Sequence, residues 1–279
     1  MSSSAQRDQA TTRFLLRSTT IVILIFLMAP IIVVFPLSFS SGELLILPTP
    51  GYSWRWYDDF FNSSKWLLAT RNSFVVGIAT AILATALGTL AALGIYLGKF
   101  RGKALLVAIL STPMVVPVVV TAAAVYFAFS LVGLNNSLAG LILAHTVLSV
   151  PYVLITVLAT LQTFDRNLLK AAATLGAPPH VAFYRIVLPL IAPGVATGAL
   201  FAFATSFDEL VVALFVAGPE QFTLPRQMYA GLREFLSPTI AAAAVLLILC
   251  SLLLLGLNEY IRARSAGRSA PIADPAEPN

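Results

Sequence analysis

Asp208 and Glu209 stand side by side inside a long apolar run, SFDELVVALFVAG. Carboxylates there cannot face hydrocarbon, because a charge at a bilayer centre costs about 2.5–3.5 kcal/mol on insertion scales. The pair must meet a water-filled path, a basic partner, or each other with a shared proton. Consecutive residues on a helix point about 100° apart, so one can line a path while the other packs. Phe203 and Phe207 lie one helical turn apart on the same run, and Tyr126 can join them from another. Carboxylates with aromatic faces suit a flexible polycation through charge pairing and cation–π contact. A phenylalanine stripe in a membrane helix is, on its own, more often packing or lipid contact than a solute site. His145, also mid-run, reads as a hydrogen-bonded packing residue.

Covalent chemistry finds no residues to carry it. The sequence has no Gly-x4-Gly-Lys-Ser/Thr phosphate cradle and no Gly-x-Ser-x-Gly nucleophile elbow. His145 and His180 are too far apart for a His-x3-His zinc pair. Cys250 is the single cysteine and cannot form an internal disulfide. The chain is therefore read as no enzyme, with no metal and no cofactor of its own.

The elements that would position these residues follow from composition. The chain is 58% hydrophobic and only 10% charged, against about 25% charged in a soluble domain. Much of its surface must face lipid. A bilayer core needs about 20 apolar residues per helix, and six runs qualify, near 18–39, 71–97, 104–130, 137–162, 188–217 and 238–261. The first is too long for a cleavable signal and holds Pro30 and Pro36. The predicted fold is an all-α membrane protein of six transmembrane helices. An even number puts both termini on one side, and the basic residues choose which. Arg7, Arg13, Arg17, Lys99, Arg101, Lys103, Arg166, Lys170, Arg185, Arg262, Arg264 and Arg268 lie on the terminal side, against Arg55, Lys65, Arg71, Arg226 and Arg233. Basic residues collect on the cytoplasmic side, so both termini are expected there.

This gives a cytoplasmic N-terminal tail over 1–17, a membrane domain over 18–262 and a disordered cytoplasmic tail over 263–279. The outer loop 40–70 holds all three tryptophans, read as interfacial anchors, with a short helix near Trp56–Phe61. Pro113 and Pro117 should kink the third span. Gly94 and Gly98 give a weak Gly-x3-Gly helix-contact signal.

The cytoplasmic segment near 163–187 is patterned. Leu168 to Ala173 are strong helix formers, and Gly176 stands where a left-handed residue would end that helix. Pro178 and Pro179 cannot continue it but suit the first turn of a new one. Leu188-Pro189 should break the second helix and launch the next span. Two short helices with small alanines and apolar surface, but no core of their own, make a docking element.

Ala171, Ala172, Gly176, Ile186, Leu188 and Pro189 match, at the same spacing, the Glu-Ala-Ala-x3-Gly-x9-Ile-x-Leu-Pro pattern of permeases in binding-protein-dependent ABC importers. The chain resembles that family, and in particular the second permease of spermidine/putrescine (polyamine) systems. Pro113-x3-Pro117, His145, Pro151, Asp165 and the run from Ser206 to Pro238 carry the closer likeness, which covers nearly all of 14–262. The resemblance implies that the loop, with Lys170, Ala171, Ala172, Gly176, His180, Ile186, Leu188 and Pro189, fits a groove on a separate ATPase. Lys170 departs from the family's Glu and reverses its charge, so that polar contact must be absent, inverted or moved to Asp165. Asp208 matches a recurrent acidic position and is read as path-lining, with Glu209 structural.

The partners implied are two ATPase subunits that bind ATP and Mg, a second permease, a periplasmic solute-binding protein and the lipid bilayer, with no nucleic acid. The implied location is the bacterial inner membrane, and the implied role is half of a membrane path for a polyamine such as spermidine or putrescine. Two other readings stay open. One is an ABC permease for an amino-acid-like compound, phosphonate, thiosulfate or ferric ion. The other is an ATP-independent secondary transporter, which inverted repeats would favour; none is seen.

Overall fold

The structure is a computed structural model that describes residues 3–234 and 237–268, with side chains over 12–233 and 237–261. Helix α1 runs Ser3–Ser38, α2 Arg55–Asn62 and α3 Ser64–Leu97. Next come α4 Lys103–Val115, α5 Val118–Val132 and α6 Leu138–Gln162. The short α7 Asn167–Thr174 and α8 Pro179–Ala182 lead through a π-helical turn, Phe183–Val187, into α9 Leu188–Phe207. Last are α10 Val211–Val216, α11 Leu224–Glu234 and α12 Thr239–Arg268. No strand occurs among the described residues. Helix α12 continues past Arg262, and the part of the expected tail from 269 on lies outside the described residues.

Five helices are long and apolar enough to cross a membrane, and α4 with α5 makes a sixth span if the bent pair counts as one. That pair is bent by 102°, far beyond the kink expected from sequence. Val116 is extended and Pro117 follows it. Pro117 has no N–H to close a turn on the Pro113 carbonyl, so the helix stops and restarts.

The fifth span also differs from the expected 188–217. It runs continuously over Pro179–Phe207 and stops at Asp208. Leu188-Pro189 does not break it, because the Leu188 N–H reaches back five residues to the Phe183 carbonyl. A π turn of this kind absorbs the carbonyl clash and missing donor that proline brings.

The chain divides into two compact units, 1–64 with 228–248 and 65–227 with 249–279. In the first, the apolar window of α1 has no buried residue, which leaves its side chains to lipid or another protein. Helix α2 is the short helix expected near Trp56. Trp54 is 71% exposed, as an anchor would be, whereas Trp56 is buried. Its indole Nε1–H donates to the buried Ser40 carbonyl at 2.6 Å. The Thr239 hydroxyl donates to Asp59 at 2.7 Å. Trp56→Phe would leave the Ser40 carbonyl without its donor, a loss of about 1–3 kcal/mol. The expected result is an earlier thermal unfolding midpoint in detergent; an unchanged midpoint would show that the bond contributes nothing.

The second unit is built on α3, α6 and α9. A seam of small residues joins the antiparallel α6 and α9. Gly198 meets Thr156 and Val153, and Gly194 meets Thr160 and the Thr156 carbonyl. Ser149 donates to the Ala202 carbonyl at 3.3 Å, and His145 Nδ1 lies 2.8 Å from the Ser206 hydroxyl. Such residues let backbones approach closely where lipid offers no hydrophobic drive to association. Helix α3 completes the core through Ala84, Ala92 and Leu93, with Gly88 against Val153. At its other end, Asn72 donates to the Glu220 and Phe222 carbonyls, and Ser73 accepts from the Leu224 N–H. The Gly-x3-Gly that packs is thus Gly194–Gly198. Nothing lies near a Cβ at Gly94, and Gly98 faces only its own helix end and Phe100.

Candidate functional site

Two places collect the sequence-predicted residues. The first is the segment between α6 and α9. Asp165 opens it by accepting the Asn167 N–H at 2.9 Å, which satisfies a free donor at the start of α7. Gly176 closes that helix at φ +76°. Its N–H donates to the Ala173 carbonyl and the Ala177 N–H to the Ala172 carbonyl, each at 3.0 Å. This paired closure is the Schellman motif. Pro179 takes the first position of α8.

Within the segment Ala172 is buried, Ile186 and Leu188 are half-buried, and Lys170, Ala171, Gly176, His180 and Pro189 are exposed. Lys170 Nζ donates to Asn167 Oδ1 at 3.3 Å. Leu175 is 86% and Tyr184 65% exposed. A helix pair that buries Ala172 and Ala182 and turns Leu175 and Tyr184 outward has a surface built for contact.

Sequence reasoning missed what ties this segment to the membrane helices. The Tyr96 hydroxyl, near the end of α3, donates to the Phe164 carbonyl at 3.1 Å. The Arg166 guanidinium lies over the Tyr96 ring, 4.2 Å from its centroid, and donates to the Tyr96 carbonyl. Lys103 Nζ reaches the same carbonyl at 3.5 Å. Two cations at the C-terminal end of a helix complement its dipole. No spacing pattern links positions so far apart in the chain.

The second place is the end of α9. Asp208 terminates that helix, so the carboxylate pair sits at a break in the span and not within a continuous helix. Glu209 Oε1 accepts the Val212 N–H at 2.9 Å and caps α10. The carboxylates face different hollows. Asp208 is exposed and lines one of about 230 Å³ with Ser251 and the buried Asn258 of α12. Glu209 lines another of about 240 Å³ with Thr205, Tyr152 and the residues around Pro113. Phe203 and Phe207 stack at 5.3 Å, with Phe74 5.1 Å from Phe207. Phe207 is buried, and Phe203 blocks the space above Gly77 and lines an apolar cleft with Ile78 and Leu254. Tyr126 is 39% exposed on α5, with its ring against Phe127. The structure records no ring contact between Tyr126 and the Phe203–Phe207 stack. Asn258, Tyr152 and Thr205 were not singled out from sequence, where a lone polar residue in an apolar run looks like ordinary helix packing.

Known proteins resemble this chain in sequence and in fold. Residues 84–266 match the family described as binding-protein-dependent transport system inner membrane component. The chain is 34% identical over 251 residues to the spermidine/putrescine transport system permease protein PotC of Haemophilus influenzae, covering 90% of this chain and 97% of that one. It is 32% identical over 230 residues to the putrescine transport system permease protein PotI of Escherichia coli K12, covering 80% and 82%. A chain of a bacterial ABC transporter involved in the import of the acidic polysaccharide alginate superposes with a TM-score of 0.69 at 16% identity, covering 93% of this chain and 98% of that one, and so shares its fold. The α-helical spans, the two-helix segment between α6 and α9 and the match across the membrane domain together make this chain a member of the inner membrane component family of binding-protein-dependent transport systems, a multi-pass permease and not an enzyme.

Proposed function

We propose that this chain is one permease half of a bacterial ABC importer for polyamines such as spermidine or putrescine, resident in the cytoplasmic membrane with both termini inside. The observation that carries the solute is likeness, along nearly the whole chain, to permeases named for spermidine and putrescine. The biased Lys and Arg count supports the orientation. A second permease completes the path, a periplasmic binding protein delivers the solute, and two ATPase subunits bind ATP and Mg.

In this reading the exposed α7–α8 pair, with Lys170, Ala171, Ala172, Gly176 and His180, docks on an ATPase. Ile186, Leu188 and Pro189 carry its movement into α9, because α8, the π turn and α9 form one continuous helix. ATP-driven closure below then shifts the membrane helices between inward- and outward-open populations. The carboxylates at the end of α9 place negative charge where a polycation would pass, and Phe203, Phe207 and Tyr126 are the aromatic side chains this reading assigns to the path.

The test is gentle detergent purification of the tagged chain, mass spectrometry of what accompanies it, and uptake of labelled spermidine by cells carrying the whole system. An ATPase and a second permease should co-purify; recovery of this chain alone, stable and monodisperse, would instead favour an ATP-independent transporter. Asp208→Asn keeps the size but removes the charge, and should lower uptake several-fold while the complex still assembles. Wild-type uptake by that assembled variant would remove Asp208 from the path.

A further inference from the structure

Among the apolar spans, the third is sharply broken, and the break forms one wall of a polar cavity. Helix α4 ends with the Val116 N–H closing on the Thr112 carbonyl, and α5 begins with bonds to the Pro117 carbonyl. Pro117 donates nothing, so the carbonyls at the end of α4 lack the next turn of donors. A helix end of this kind carries partial negative charge. Pro113, Met114 and Val116 line the hollow of about 240 Å³ with Tyr152 of α6 and with Thr205 and Glu209 at the end of α9.

The chemistry of the wall is one-sided. Its single ionisable carboxylate belongs to Glu209, its other side-chain polar groups are hydroxyls that can accept, and no Lys, Arg or His contributes. The Tyr152 and Thr205 side-chain hydroxyls have no hydrogen-bond partner among the described residues. Glu209 spends part of its acceptor capacity on Val212, but an ionised carboxylate has about four acceptor sites. Residues bearing a carboxylate, a phenol and an aliphatic hydroxyl thus share the wall of a space too small for a large solute. A primary ammonium brings three donors and one positive charge. Discontinuous membrane helices place their C-terminal ends toward cations in the same way.

We infer that this cavity, formed by Glu209, Tyr152, Thr205 and the open end of α4, is a subsite for one primary ammonium group of the transported solute. The inference rests on the polyamine reading above. It gives Glu209 a ligand-facing role besides its cap on α10, and it makes Tyr152 and Thr205 specificity residues.

The test uses the complete transporter, with its binding protein and ATPase, reconstituted in proteoliposomes. Uptake of labelled spermidine is compared with uptake of a spermidine whose terminal nitrogens are trimethylated, which keeps the charge but removes the terminal N–H donors. The wild type should favour spermidine by about tenfold, as expected for lost hydrogen bonds to a charged group. Tyr152→Phe with Thr205→Val should lower spermidine uptake by about the same factor and erase the preference, with complex assembly and ATP hydrolysis retained. A variant that retains the full preference would overturn the subsite. If the double variant does not assemble, Tyr152→Phe alone, which removes one oxygen, carries the same comparison. A wild-type complex that takes up neither amine but imports another solute would overturn the polyamine reading and the subsite with it; polyamine uptake unaffected by the variants would overturn the subsite alone.

Discussion

Gly176→Leu should lower solute uptake on the order of tenfold while the chain still reaches the membrane. The residue adopts φ +76°, and no atom lies within 4 Å of where a Cβ would be. The cost is therefore conformational and not a clash. A left-handed backbone costs an ordinary L-residue roughly 1–2 kcal/mol, enough to shift a local equilibrium about 5–30-fold. The two hydrogen bonds that close α7 depend on that conformation, so the angle at which α8 leaves α7 would change. Nothing in the α3–α6–α9 core depends on it. Gly176→Asn supplies the control, since asparagine tolerates the left-handed region, and should keep most of the uptake. ATP hydrolysis by the purified complex separates uncoupling from loss of assembly. Wild-type uptake by Gly176→Leu would end the docking assignment for this turn.

Gly194→Leu should have a larger effect, on folding itself. A side chain there would overlap the Thr160 hydroxyl, and even its Cβ would lie 2.8 Å from Thr160 Cβ. The hydroxyl is not free to swing, because it donates to the Thr156 carbonyl at 3.0 Å. Overpacking a tight core typically costs about 1–3 kcal/mol, and more where backbones must separate. Here they must, since Gly194 and Gly198 set the approach of α6 and α9. The expected result is a chain that aggregates or elutes broadly in detergent, with little folded protein recovered. Gly94→Leu is the matched control, with open space at its Cβ, and should behave as wild type. Equal loss in both variants would mean that leucine disturbs insertion in general and not this seam.

These glycines show where sequence reading stops. A Gly-x3-Gly pattern occurs at Gly94–Gly98 and again at Gly194–Gly198, and nothing local says which one meets a neighbour. What decides is the threonines at 156 and 160 on another helix, a matter of tertiary register. Local chemistry was legible where the answer is local. Gly176 ends a helix and Pro179 begins one because their backbone preferences are their own. Pro113 and Pro117 announced a kink, but its 102° size depends on the extended Val116 between the two helices. The acidic pair was visible from its cost in lipid. Its position at a helix end was not, because an apolar run looks the same whether or not the backbone pauses within it. Leu188-Pro189 was read as a break because proline usually makes one, and the π turn before it is a backbone solution with no residue signature of its own.

That turn has a consequence for the geometry of the fifth span. A π turn holds one residue more than an α turn, and each residue on a helix accounts for about 100° of rotation. Winding the same residues as an ordinary α-helix, without the wide turn at Phe183–Val187, would swing α8 round by about that angle, while Gly194 and Gly198 stayed locked against α6. The stretch therefore works like a keyed shaft. The wide turn takes up the extra residue and so keeps the angular index between the end that is exposed and the end that is held; its loss would misalign the two without breaking either.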